Sequence, residues 1–369
     1  MKFTCEKNAL VSAVSVASRT VAQKSTIPAL EGIYIRAGVK LTLSGYNLET
    51  GITISVDAEI QQTGACIMPS RLFFDIIRKL PDDTVSISVD EKFKVSIRGG
   101  ISSFSITAMS SEDYPELPEV ESDKGISLPQ NELKAMIGGT SFAVSENQAR
   151  PIHTGILFEV DNDSITSVAV DGYRLALRRY LPEQSLERTL KFVAPAAALK
   201  EVEKILGDTE DPATFYPGSK HILFTIGDAT LVCRILEGEF LDWRRVLPQN
   251  NPVKLVGNVS RLTDSIERVG LVISEKLKSP VRCKFGDNSA EFRTISTLGE
   301  AYDVCPIAGD GKDLEIGFNC KYLLDALRAV PDSECTLEMI NGLSPIVLNP
   351  TEGNRYSYMV LPVRLKAGE

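Results

Sequence analysis

Two residue types are nearly missing. Histidine occurs only as His153 and His221, and tryptophan only as Trp243. A multi-histidine metal centre or a histidine relay therefore has almost no material. The seven cysteines (Cys5, Cys66, Cys233, Cys283, Cys305, Cys320 and Cys335) form no Cys-x-x-Cys pair. An odd, scattered set reads as reduced thiols used as small core residues in a cytosolic protein. No glycine-rich loop ends in Lys-Ser or Lys-Thr, which speaks against a nucleotide-hydrolysing site. No stretch approaches the ~18–20 apolar residues of a membrane span. The opening MKFTCEKNALVSAVSVASRT is broken by charge, unlike a signal peptide. A soluble, cytoplasmic protein is expected. An excess of positive charge is lacking too: 40 Lys and Arg stand against 49 Asp and Glu, a net charge of −9. Such a balance argues against gripping DNA by bulk electrostatics.

What the 369 residues do contain is one pattern written three times. Leu10, Val14, Ala17 and Val21 mark one helical stripe, and Leu262, Ile266, Val269 and Ile273 repeat its offsets. A weaker copy has Leu133, Ile137 and Val144, with Thr140 interrupting. Each stripe follows a short strand-like segment: MKFTC, GISLP or VKLVG. A second helical signature, SRLFFDIIRKLPDD, AAALKEVEKILGDTE and KYLLDALRAVPDS, aligns without gaps. Phe73, Leu199 and Leu323 share one position, and Leu80, Leu206 and Val330 share another. A helix stop and an acid follow each time, at Pro81-Asp82, Gly207-Asp208 and Pro331-Asp332, about one third of the chain apart. Alternating segments between the helices read as antiparallel strands. Gly99-Gly100, Asp161-Asn162-Asp163 and Gly286-Asp287-Asn288 supply the turns. Each third is thus an α+β unit, with boundaries near ESDKG at 121–125 and LPQNNP at 247–252.

Charge is distributed unevenly over these units. Lys7, Arg19 and Lys24 lie in the first helical segment with no acid among them. Arg71, Arg78 and Lys79 outweigh Asp75, and Lys321 and Arg328 outweigh Asp325. Arg150, Lys276 and Lys278 stand just beyond two further helices. Lys and Arg are good helix formers on solvated faces, which explains any one of them. A shared surface facing a polyanion would explain the bias as a whole.

With these residues in view, the chain resembles the bacterial replicative sliding clamps, the beta subunits of DNA polymerase III. The carrying segments are MKFTCEKNAL, STIPAL at 25–30, PSRLFFDIIRKLP at 69–81, VAVDGYRLA at 168–176, EGEFLDWRRVLP at 237–248, EIGFN at 315–319 and VLPVRL at 360–365. The resemblance covers essentially the whole chain. It implies three tandem repeats of the DNA-clamp fold, each with two helices packed on antiparallel sheet, over residues 1–121, 122–248 and 249–369. It implies a head-to-tail homodimer closing a six-domain ring around double-stranded DNA without regard to base sequence. Phe104 and Ile106 of one subunit would meet Val272 and Ile273 of the other, although all four also suit an ordinary core. Lys24, Asn147 and Arg150 match positions that touch DNA in the family. Pro151 and Ile152 replace two tyrosines there, removing their stacking and hydrogen bonds.

A groove for short linear peptides is also implied, at Val170, Gly172, Tyr173, Arg174, Leu175, Leu241, Arg245, Val246, Met359, Val360, Leu361, Pro362, Val363 and Arg364. Aliphatic side chains flanked by arginine suit an acidic-aliphatic peptide. Tyr173, Val170 and Leu241 stand where the family often has His, Thr and Pro. The implied partners are the polymerase alpha subunit, the clamp loader and other replication and repair proteins. The implied location is cytoplasmic and nucleoid-associated, with no cofactor, no metal and no catalytic residue.

Two other classes compete with this reading. Asp171-Gly172-Tyr173-Arg174 has the look of a catalytic loop on a hydrolase or transferase, but Asp-Gly is a common turn pair and no His, Cys or metal cluster accompanies it. A tandem-domain scaffold that binds proteins without encircling DNA is the third possibility. Trp243 reads as a packing anchor.

Overall fold

The computed structural model describes residues 1–186, 188–274 and 279–365. Lys276, Lys278 and the tail 366–369 lie outside the described residues. The first third runs β1 (Lys2–Glu6), α1 (Lys7–Ala17), β2 (Gly32–Ala37), β3 (Leu41–Tyr46), β4 (Thr50–Val56), β5 (Glu59–Gln62), β6 (Gly64–Pro69), α2 (Ser70–Lys79), β7 (Thr84–Val89), β8 (Lys94–Gly99) and β9 (Ser102–Thr107). The second runs β10 (Ile126–Pro129), α3 (Gln130–Ser141), β11 (Gly155–Asp161), β12 (Ser164–Val170), β13 (Arg174–Tyr180), β14 (Leu190–Pro195), α4 (Ala196–Ile205), β15 (Pro212–Pro217), β16 (His221–Ile226) and β17 (Ala229–Arg234). A single turn, α5 (Trp243–Val246), leads to the last third: β18 (Val253–Asn258), α6 (Val259–Gly270), β19 (Val281–Ser296), β20 (Gly299–Phe318), α7 (Cys320–Arg328), β21 (Glu334–Met339), β22 (Ile346–Asn349) and β23 (Tyr356–Val360). The threefold strand-helix order is the one expected.

The strands assemble into antiparallel sheets that do not stop where the repeats stop. One sheet, β5-β1-β7-β8-β9, belongs to the first third alone. An eight-stranded sheet, β10-β15-β16-β17-β4-β3-β2-β6, joins the first two thirds through the β17–β4 ladder from Ala229↔Ile54 to Cys233↔Thr50. A ten-stranded sheet, β14-β11-β12-β13-β23-β22-β21-β18-β20-β19, joins the last two through β13 and β23. Packing accordingly divides the chain into two compact units, residues 1–133 with 198–235 and residues 134–197 with 236–369.

Helix positions follow from the apolar stripes. Leu10, Val14 and Ala17 are fully buried in the core of the first unit, beside Phe3, Ile35, Leu43, Phe73, Ile77 and Ile87. Leu262, Ile266 and Val269 are buried in the same way on α6. The shared positions hold as well: Phe73, Leu199 and Leu323, then Leu80, Leu206 and Val330, are all buried. The fourth member of each stripe does not continue its helix. Val21, Val144 and Ile273 all follow the helix ends at Ala17, Ser141 and Gly270. Behind α1 the backbone tightens into a 3-10 turn at Ser18–Thr20, and the Thr20 hydroxyl donates to Gly45 O at 2.8 Å. Thr140, the interruption in the middle copy, is buried because its hydroxyl donates to Met136 O at 2.7 Å in the preceding helical turn.

One expected turn is absent. Gly286-Asp287-Asn288 does not reverse the chain but lies inside the sixteen-residue strand β19. The register slips on both sides of Asp287, as in a bulge, while Asn288 adopts φ of 51° and its Oδ1 accepts from Gly309 N at 3.2 Å on β20. A bulge and a turn use the same residue types, which is why composition alone does not separate them.

Candidate protein-binding and DNA-binding sites

Most of the peptide-groove positions meet because two strands distant in sequence are neighbours. Leu175 pairs with Met359 and Arg174 with Val360 across the β13–β23 ladder, and Leu361 N donates to Tyr173 O at 2.8 Å. Val170, Leu175 and Met359 pack with Leu157, Leu177, Val193, Trp243 and Val347 in one apolar cluster. Half-buried Ile152, Leu236, Phe240, Val246, Leu247 and Leu361 cover it. Above this floor Leu241 and Val363 remain about two-fifths exposed, Arg245 and Arg364 are exposed, and Pro362 is half-buried. The result is an aliphatic patch with solvent-facing arginines at its rim.

The turn before β13 is held by its acid. Asp171 Oδ1 accepts from Tyr173 N at 2.9 Å and Arg174 N at 3.0 Å, while Gly172 takes φ of 92° with open space where a Cβ would sit. Asp171 is thus an Asx-turn acid, as the turn reading expected. Arg174 differs from the expectation of a cation flanking the groove. Its side chain is buried, its Nε donates to Asp171 Oδ2 at 2.9 Å and its Nη1 to Asp325 Oδ2 at 2.6 Å. Its guanidinium also lies 4.4 Å from the centre of the Tyr322 ring. Arg174 ties the β12–β13 turn to α7 through these two carboxylates.

Trp243 is buried as a packing anchor. Its Nε1 donates to Glu159 Oε2 at 3.1 Å, and the Arg244 guanidinium stacks 4.2 Å from its ring while pairing with the same carboxylate at 2.8 Å. Covering residues that sequence reasoning did not place in the patch are Ile152, Leu236, Phe240 and Leu247. Their signal was available for Phe240 and Leu247, both inside the EGEFLDWRRVLP segment.

The DNA-contact candidates are all exposed. Asn147 and Arg150 sit on one loop, where Asn147 Oδ1 accepts from Ala149 N at 2.9 Å and Asn147 O from Arg150 N at 3.3 Å. Lys24 lies in the other compact unit, after the 3-10 turn. The helical cations are less available than their number suggests. Lys7 donates to Leu80 O at 2.8 Å, Arg19 lies 3.6 Å from Glu201, and Arg328 lies 2.6 Å from Glu267.

Phe104 and Ile106 lie on β9, an edge strand. Phe104 is 40% exposed, and Ile106 is half-buried against the core. Val272 and Ile273 follow α6 and are half-buried. The Val272 carbonyl accepts from Ser296 Oγ at the end of β19, the edge of the ten-stranded sheet. None of the four is fully buried.

Burial pushes the thiols of Cys5, Cys66, Cys233 and Cys335 up to about 12, and that of Cys320 to about 11. At neutral pH they are unreactive packing groups. Among the described residues no cluster of His, Cys, Asp and Glu able to hold a metal occurs, and no helix is long and apolar enough to cross a membrane.

Three tandem α+β units, strand-linked into antiparallel sheets, define the class of the DNA polymerase clamps. Residues 1–118, 127–242 and 244–364 match, in order, the N-terminal, central and C-terminal domains of the DNA polymerase III beta subunit. The chain is 32% identical to the beta sliding clamp of Staphylococcus aureus and 30% to that of Staphylococcus epidermidis, over 99% of both partners in each case. Among solved structures it is similar to a putative DNA polymerase III beta subunit from Eubacterium rectale (TM-score 0.94, 32% identity) and to the sliding clamp of Bacillus subtilis (TM-score 0.94, 28% identity). Each comparison covers 99% of this chain and 100% of the other. The chain belongs to the DNA polymerase III beta subunit family, and its role is that of a sliding clamp in DNA replication. The hydrolase and bare-scaffold readings are not favoured.

Proposed function

We propose that two copies join head to tail into a closed ring that holds duplex DNA by topology and carries no catalytic activity of its own. The clamp domains would be residues 1–121, 122–248 and 249–369. The observation that carries this reading is the end-to-end match of three tandem units to the beta-subunit domains. Strand β9 supports the subunit contact. It is an unpaired edge with no charged residue, and such an edge needs a partner strand or a cover. The second face, around Val272 and Ile273, adjoins β19, an edge of the ten-stranded sheet. A head-to-tail contact of unlike faces closes only at the right rotation, which a two-subunit ring provides.

Net charge −9 suits a tether that slides, because few phosphate contacts are to be broken and remade. Lys24, Asn147 and Arg150 would supply those contacts. The patch around Leu175 and Met359, with Val170, Gly172, Tyr173, Leu241, Arg245, Val246, Val360, Leu361, Pro362, Val363 and Arg364 about it, would take short peptides from the polymerase alpha subunit, the clamp loader and other replication proteins. The cytoplasm, at the nucleoid, is the matching location.

Topological holding has a direct test. Loaded protein should stay on closed circular DNA at a salt concentration that strips ordinary phosphate binders, and should leave within minutes of linearisation. Equal retention on both templates, or a monomer at micromolar concentration by light scattering, would refute the ring.

A further inference from the structure

A cavity of about 710 Å³ opens beside the peptide patch, in the same compact unit. Its walls include Glu146, Tyr173, Tyr322 and Lys321, and the two tyrosine rings stack at 5.9 Å with 28° between their planes. Two planar groups lie against the Tyr322 ring here. The Arg174 guanidinium lies at 4.4 Å from the Tyr322 ring, and Tyr173 stacks on Tyr322 in turn. Tyr173 is 61% exposed, so it offers an aromatic face to a newcomer. Its backbone is fixed by Asp171 on one side and Leu361 on the other, which pre-organises that face. Burial first, then the nearby charge of Asp171 and last that of Glu146, raises the Tyr322 hydroxyl pKa. Arg174 is already shared by Asp171 and Asp325, and Arg328 on the cavity wall pairs with Glu267. Glu146 is an exposed carboxylate with no ion pair among the described residues. Lys321, which has no ion pair among the described residues, also lines the cavity.

We propose that this compartment extends the peptide site and receives an arginine of the bound partner, its guanidinium stacked on Tyr173 and paired with Glu146. The inference rests on the peptide-site reading above. A planar guanidinium suits this place better than an ammonium, since it stacks on a ring face while its edge donates to a carboxylate. The preferred partner is therefore an aliphatic peptide with a basic neighbour at this end, rather than an acidic one throughout. Exposed Arg245 and Arg364 leave the acidic preference to the other rim.

Fluorescence anisotropy with the full-length protein tests this. The probes are the labelled peptide Gly-Ser-Ala-Leu-Ser-Leu-Ala-Gly-Ser and versions with arginine or glutamate in place of the alanine on either side of the leucines. One arginine peptide should bind about three- to tenfold more tightly than its alanine parent. The gain should shrink in Glu146→Gln, which still binds the parent, and in Tyr173→Ala the arginine and alanine peptides should bind alike. Equal affinity of the arginine and alanine peptides, or a preference for glutamate at both flanks, overturns the proposal and leaves the peptide site standing. No binding of any peptide, or binding indifferent to Val363→Asp combined with Leu241→Asp at the exposed patch positions, overturns the peptide-site reading and this inference with it.

Discussion

Arg174 is the residue whose environment most changes what a mutation there would mean. Removing it leaves Asp171 and Asp325 facing each other in a largely buried place, so Arg174→Ala should cost about 3 kcal/mol in chemical denaturation. Arg174→Lys should recover little, because an ammonium cannot bridge both carboxylates in the guanidinium geometry. A loss of peptide binding in Arg174→Ala would thus report a collapsed turn, and the exposed Val363 and Leu241 are the cleaner probes. His153 supplies a pH readout. Burial and the nearby Arg150 charge lower its pKa, and its ring meets Phe240 edge-on at 5.2 Å. The unfolded chain therefore takes up this proton more readily than the folded one. The histidine's contribution is complete above about pH 6.5 and is lost as pH falls through the folded value. Thermal unfolding of wild type minus His153→Phe, scanned from pH 8 to 5, should show wild type losing relative stability on the acidic side.

At the scale of elements, the helices were legible because burial repeats with the helical period. Leu10, Val14 and Ala17, or Leu262, Ile266 and Val269, leave no other way to share one face. Their ends were less legible, since Val21 still packs against the core, and Ile273 is still half-buried, from turns that are no longer helix. The bulge at Asp287 was illegible, because the choice between turn and bulge is made by the partner strand β20, far along the ladder. The peptide patch was identified by resemblance rather than by periodicity; only the β13–β23 pairing shows why residues near 175 and 359 belong together. Core packing gives a direct check: Phe73→Ala should cost about 3–5 kcal/mol in the first unit, as Phe73 is fully buried. Edge strand β9 gives another. Phe104→Lys with Ile106→Lys should shift the protein to monomer by light scattering. Phe104→Lys alone, at the exposed position, should weaken the dimer with little loss of folding stability, whereas Ile106→Lys also gives up packing against the core.

Across the whole molecule, three repeats share two packing units, because the sheets run through the repeat boundaries at β17–β4 and β13–β23. The segment that recurs in sequence is therefore not the segment that melts. Cutting residues 122–248 out would strip β17 of β4 and β13 of β23, leaving two raw sheet edges. Such a fragment should aggregate on expression. Nicking the chain with protease at 121–125 should leave both pieces joined on a sizing column until denaturant is added. The ladders make each boundary a weld rather than a joint, and any bending that a ring needs to open must be sought elsewhere than between its repeats.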